Sequence, residues 1–360
     1  MIAFTGIVFS ISLIVSQFWN TAYSMRLMQW LRNTRLAGHA FGIFTATFVY
    51  ALVALAAVGR NERSQLAITV AFSLALLLAS VLFFLLLLYN TLRQMNLSYV
   101  LALIGDHGRD VIDEFYGAPG EHPPGPEGRD LEGPAPESGR VVHEGAPLVV
   151  AAVDFRHLVD LATKAEATIE IGVGVGDSVP SGTVIARMRG GAIPPGEIRR
   201  AFLLGSERTM EQDPKFALRL LADVAIKALS PAINDPTTAV QALDQIEDLL
   251  RRIGVRTIDI GRLVGVRGYV RVTYPAPTWD DLLALGTDEI RIYGAGSIEV
   301  MRRLRLLLEN LEQTVDPERL AAVQDRLHRL DAAVEQSIDP ADRADALIPD
   351  PQGLGLSHVG

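Results

Sequence analysis

The sequence predicts a multi-span α-helical membrane region followed by a mixed α+β cytoplasmic region, and three observations predict it. Residues 66–88 read LAITVAFSLALLLASVLFFLLLL, without a charge or a proline; at about 1.5 Å per residue this is enough helix to cross the hydrocarbon layer of a bilayer. Apolar residues make up 49% of the 360, and their excess crowds before Tyr89, while the acidic excess behind a net charge of -9 follows it. Beyond residue 139, short beta-prone runs around Gly and Pro turns give way to amphipathic helical stripes. The acidic balance argues against a broad basic face for nucleic acid. With no cysteine in the chain, disulfides, thiolate metal sites and cysteine nucleophiles are excluded.

Residues 1–95 hold three expected spans. The first, 2–18, is interrupted by Thr5, Ser10, Ser12, Ser16 and Gln17. It lacks the basic lead and small-residue exit of a secretory signal, and is read as a near-minimal span or the remainder of one that starts upstream. The second, 37–58, carries Gly38, Gly42, Ala46 and Ala51 at spacings that suit close helix contact. The third is 66–88. Arg26, Arg32 and Arg35 fill the first loop without an acidic residue, whereas Arg60 and Arg63 in the second are offset by Glu62. The positive-inside tendency then puts the first loop and everything after Tyr89 in the cytoplasm, in a multi-pass protein of the cell inner membrane. No Asp, Glu, Lys or Arg lies inside the spans, which weakens an ion-coupled transporter. A pore lined by the hydroxyls and amide of Ser10, Ser12, Ser16 and Gln17 in an oligomer remains open; so does helix-to-helix bonding by the same groups.

Residues 96–139 begin with a juxtamembrane helix over 102–116, whose Asp106, Asp110 and Glu114 share a face beside His107. This face resembles a divalent-metal site only loosely and reads as solvated, so no metal is expected. The stretch 117–139, rich in Pro, Gly and charge, cannot build a core and reads as a connector. Residues 140–199 form a small beta-rich module, with a short helix over 155–164 and a GDSVPSG turn at 176–182 between strands. That turn looks like the small barrels that carry lipoyl or biotinyl groups, but no lysine occurs between Ala165 and Arg199. No cofactor is expected.

Residues 200–345 read as a mainly helical domain with intervening beta segments, and their most polar stretch is 205–244. Asp213 before Pro214 and Asp235 before Pro236 are helix starts, and Pro231 stops the first helix. Stripes through Phe216, Leu220, Val224 and Ala228, and through Val240, Leu243, Ile246, Leu250 and Ile253, give the two helices a common surface. Glu207, Arg208, Glu211, Asp213, Asp223, Lys227, Asn234, Asp235 and Asp244 form the candidate polar set here. Glu207 and Glu211 share a helical face if Ser206 opens a turn, and Asp223 and Lys227 stand at ion-pair spacing. Asn234 and Asp235 serve equally as turn and cap. The hairpin is expected to bring Glu207, Arg208, Asn234 and Asp235 to one end, as a ligand or ion site or as structural polarity.

The segment ALSPAINDPTTA, within LGSERTMEQDPKFALRLLADVAIKALSPAINDPTTAVQALD, resembles the hallmark of the bacterial and archaeal membrane proteins grouped as domain of unknown function family 2254. FSISLIVSQF, FGIFTATFVYALVAL and DEIRIYGAGS extend the resemblance over nearly the whole chain, with Lys227 standing where arginine is more usual. The resemblance implies a multi-span protein with a cytoplasmic soluble region and an additional span near the N-terminus, and it carries over no reaction or ligand.

Strands are expected within 257–274, a short helix over 279–285, and a lead at 288–297 into a helix whose Met301, Leu304, Leu308 and Leu311 share a face. Arg291 beside Tyr293 is a further candidate for the polar cluster. A second stripe follows over 320–337, and 346–360 reads as a flexible tail. No nucleophile elbow, phosphate loop or HExxH helix occurs, and the seven histidines are dispersed; no catalytic residue is assigned. Two functions remain: an oligomeric channel or transport-related protein with a cytoplasmic regulatory domain, or a non-enzymatic membrane-anchored binding or scaffold protein. The bilayer is the expected partner, with a homo-oligomer plausible for either, and nucleic acid is not.

Overall fold

A computed structural model describes residues 36–57, 63–116, 128–130, 136–258 and 260–355, with Gly6, Ile7, Phe9, Ser10, Leu13, Ile14, Gln17, Arg26 and Leu27. The chain divides into two compact units, residues 1–100 and 101–360.

The first unit contains α1 (Leu36–Ala57) and α2 (Arg63–Gln94). They are antiparallel: Ala40 and Phe44 pack against Phe83, Phe84 and Leu87 near one end, and Tyr50 meets Phe72 edge-on at 4.8 Å near the other. Between these contacts the Thr47 and Ser80 hydroxyls lie 2.8 Å apart. Gly38–Ala56 and Ala67–Arg93 are long and apolar enough to cross a membrane. Val53, Leu55, Ile68, Phe72, Leu78 and Leu82 stand exposed on their outer faces, where a soluble core helix would bury them. The expected span over 2–18 lies largely outside the described residues, so among these there are two such helices rather than three.

The second unit opens with the rest of α3 (Leu97–Tyr116), which begins five residues before the expected helix because Asn96 caps it, accepting from the Tyr99 amide at 3.2 Å. Next come β1 (Glu137–Val142), β2 (Leu148–Val153), α4 (Phe155–Lys164), β3 (Ala167–Ile171), β4 (Ser178–Val179), β5 (Val184–Gly190), α5 (Pro195–Arg200) and β6 (Phe202–Gly205). The hairpin α6 (Pro214–Ala228) and α7 (Pro236–Gly254) follows, then β7 (Arg262–Val264) and β8 (Val270–Thr273), and finally α8 (Trp279–Tyr293), α9 (Ile298–Thr314), α10 (Leu320–Ser337) and α11 (Arg343–Ala346).

One sheet runs β1-β5-β3-β8-β7 and is antiparallel except where β3 pairs with β8; a second runs β4-β2-β6. The beta module therefore does not carry its main sheet alone, because β7 and β8 arrive from beyond the hairpin. Val150, Leu158, Ile169, Ile185, Met188, Ile198 and Val272 fill its core. The hairpin packs as expected, with α8 against α6 and α9 against α7.

Two expectations are corrected. The helix beginning at Trp279 continues to Tyr293, so Asp288 to Tyr293 belong to it rather than to a lead; Thr278 and Asp281 form a reciprocal capping box at its start. The expected tail is anchored through its described residues 346–355. Ala346 and Asp350 are buried. The Asp350 carboxylate accepts from the Gln352 and Leu354 amides at 2.7 and 3.2 Å, and Arg302 donates to the Gly353 carbonyl.

Candidate functional site

The segment before α6 is sewn to the beta module by its polar groups. The Thr209 hydroxyl donates to the Ala151 carbonyl at 3.2 Å, and the Gln212 side chain accepts from the Val153 amide at 2.8 Å. These bonds fix residues 206–212 in bends and turns. Glu207 and Glu211 consequently share no helical face, which corrects the expected start there.

Asp213 stands at the N-cap position of α6, yet its carboxylate makes no cap bond. It is buried, at 1% exposure. Its Oδ2 accepts from Arg208 Nε at 2.5 Å, and its Oδ1 is buried without a hydrogen-bond partner among the described residues. Arg208 also lies over the Phe216 ring, 5.0 Å from its centre. Gly176, at φ +88°, passes close beneath both side chains, and a Cβ there would run into the Asp213 carboxylate and the Arg208 guanidinium. Burial pushes the Asp213 carboxyl above the ordinary aspartate value, and Arg208 opposes that rise. Tyr116, at the end of α3, is raised by burial, then by Tyr274 and Asp213. A cavity of about 30 Å³ lies among Tyr116, Phe155, Gln212, Asp213, Lys215 and Tyr274, room for a water-sized hydrogen-bond donor. Tyr274 packs on Phe155 with ring centres 4.4 Å apart.

The other Asp-Pro start behaves as its sequence predicts. Asp235 Oδ1 accepts from the Thr238 amide at 3.1 Å and Oδ2 from the Thr238 hydroxyl at 2.6 Å. Asn234 adopts a left-handed φ of +51°, closing a turn in which its amide reaches the Ser230 carbonyl at 2.9 Å. The two turns flank opposite ends of α6, whose 15 residues span about 22 Å. The expected joining of Arg208 with Asn234 and Asp235 is thus corrected: the helix between them holds them apart.

The remaining candidates go to separate places. Asp223 pairs with Arg219 at 2.8 Å, and Arg219 also reaches Glu289 at 3.0 Å. Burial lowers the Lys227 pKa. Asp244 and the buried Glu247 hold Arg303 of α9 at 2.8 and 2.7 Å. These three line an open groove of about 520 Å³ along α7. Two further lining residues are tied to α3: Arg109 bonds Asp248 at 2.8 Å and Asp113 pairs with Arg256. Arg291 lies in the last turn of α8, where a cation suits the helix dipole. Ser10 donates to the Gly6 carbonyl at 3.0 Å and Gln17 is exposed on a helix; Ser12 and Ser16 lie outside the described residues. Tyr116, Gly176 and Tyr274 were not legible as site residues, because their relation to Asp213 is made by folding.

The sequence of residues 1–310 matches the family described as a predicted membrane protein (DUF2254). The chain belongs to this family. Its similarity extends to uncharacterized proteins of Mycobacterium tuberculosis and Mycobacterium bovis, each 28% identical over 363 residues, covering 96% of this chain and 68% of the relative. No solved structure matches. Within this DUF2254 chain the signature segment divides physically, its first half forming the buried Arg208–Asp213 joint and its second the capped Asp235 turn.

Proposed function

We propose that the chain is a membrane-anchored binding or scaffold protein that works without catalysing a reaction. Its apolar helices hold it in the bilayer, and residues 101–360 carry the contacts with its partners. One observation favours an anchor over a pore: the Thr45, Thr47, Ser73 and Ser80 hydroxyls are spent on the helices themselves. Thr47 donates to Ile43 O at 2.7 Å and meets Ser80 across the pair, while Thr45 and Ser73 each donate to a carbonyl one turn back at 2.9 Å. Such hydroxyls pack helices and leave their outer faces to lipid or to another protein surface.

On this reading the protein sits in the cell inner membrane with the second unit in the cytoplasm, as the arginines of the first loop favour. Copies of the chain associate through the apolar faces, and nucleic acid is not a partner. The full chain reconstituted into liposomes is expected to give no flux of small ions above empty vesicles across a range of voltages. Sustained flux that Thr47→Val or Ser80→Ala alters would overturn the anchor and restore the channel.

A further inference from the structure

The anchoring reading leaves one cation without an acidic partner where the apolar run ends. From residue 63 to residue 105 the sequence contains no Asp or Glu, and its only cations are Arg63 and Arg93. Arg93 lies in the last turn of α2, four residues after Tyr89. A short turn follows, in which the Asn96 amide bonds the Arg93 carbonyl at 3.0 Å and the Asn96 side chain caps α3. This turn folds Tyr99 back, so that the Arg93 guanidinium lies 4.3 Å from the Tyr99 ring centre and 5.4 Å from that of Tyr89. Arg93 and Tyr89 are exposed, and among the described residues Arg93 has no hydrogen bond or ion pair.

Aromatic rings concentrate where a helix leaves the hydrocarbon layer. A guanidinium resting on aromatic faces keeps its N–H edge free and fixes the direction in which that edge points. The ligand that suits such an edge is an oxyanion with two adjacent acceptor oxygens, taken bidentately. At the depth where α2 ends, that chemistry is abundant in the phosphodiester of a phospholipid headgroup. We propose that Tyr89, Arg93 and Tyr99 form a phospholipid-headgroup site, with Arg93 donating to the phosphodiester and the two tyrosines holding the guanidinium in place. This rests on the anchoring reading.

The full chain, purified in detergent and titrated with phosphatidylglycerol, is tested by counting retained lipid in native mass spectrometry. Arg93→Gln is expected to weaken retention about tenfold, the loss of one charge-assisted bidentate contact. Arg93→Lys, which keeps the charge but not the fork, falls between. Tyr89→Leu with Tyr99→Leu is expected to weaken it several-fold with Arg93 intact, as loss of two ring contacts implies, while Arg140→Gln on β1 removes a charge elsewhere and leaves it unchanged. Equal retention by wild type and Arg93→Gln overturns the site. No effect of the tyrosine pair reduces Arg93 to bulk charge and overturns it as well. Displacement of the lipid by an equal concentration of inorganic phosphate would assign the site to free anions instead. Carbonate washing of membranes keeps the two readings apart: a wild-type chain that washes off defeats the anchor, whereas a retained chain indifferent to Arg93 defeats only this site.

Discussion

Asp213-Pro214 and Asp235-Pro236 are the same dipeptide in the same role on paper, and the fold uses them differently. Asp235 is a half-exposed cap held by Thr238 through amide and hydroxyl. Asp213 is buried against Gly176 and spends its carboxylate on Arg208 instead of on α6. The difference lies in what approaches each turn. Around Asp213 converge α3 through Tyr116, the loop after β3 through Gly176, and the segment just after β8 through Tyr274. The turn before Asp235 has exposed residues at Pro231, Ala232 and Asn234. An N-cap signal predicts where a helix starts; whether the aspartate then caps or turns inward depends on the neighbours that folding brings.

The largest expected effect belongs to the buried turn. Arg208→Ala leaves Asp213 buried without its cation and is expected to cost about 3 kcal/mol, read by chemical denaturation of the full chain in micelles; a loss below about 1 kcal/mol would place the pair among ordinary surface ion pairs and erase the contrast. Gly176→Ala comes next, at about 1–3 kcal/mol, since the new Cβ meets both charged side chains at a positive φ; an unchanged denaturation midpoint would mean that the loop moves aside freely. Asp235→Ala is expected to cost about 1 kcal/mol, leaving membrane abundance unchanged. Abolished function in a folded, inserted Asp235→Ala protein would move the functional site to the exposed turn.

The ends of the hairpin were legible because Asp-Pro and Pro231 act locally. The two apolar helices were legible from length and composition, and the Thr47–Ser80 contact is the helix-to-helix bonding that hydroxyls in a bilayer favour. The extension of α8 is not legible although Thr278 and Asp281 spell a capping box, because the DEIRIYGAGS run reads as the lead into the next helix. The burial of Asp213 was out of reach: its surroundings are assembled from residues about 100 positions before it to 61 after it, at Tyr116 and Tyr274, and no local pattern encodes that meeting. The separation of the two turns followed from a distance that was legible, the length of α6, but not from the polarity of the residues at either end.

The most direct test of the buried joint is the stability of the wild type and of Asp213→Asn as a function of pH. Burial raises the folded-state pKa of Asp213 above its ordinary value of 3.8, against the pull of Arg208. The folded protein therefore holds this proton more tightly than the unfolded chain, so the contribution of Asp213 to stability is fully present below 3.8 and is lost as the pH rises through the raised value. Subtracting the Asp213→Asn profile removes the other carboxylates common to both proteins. The stability of the wild type relative to Asp213→Asn is expected to fall as the pH rises above 3.8 and then to level off. A difference that stays flat, or that rises with pH through that window, would show that the fold does not favour the protonated Asp213 carboxyl and would contradict the buried joint.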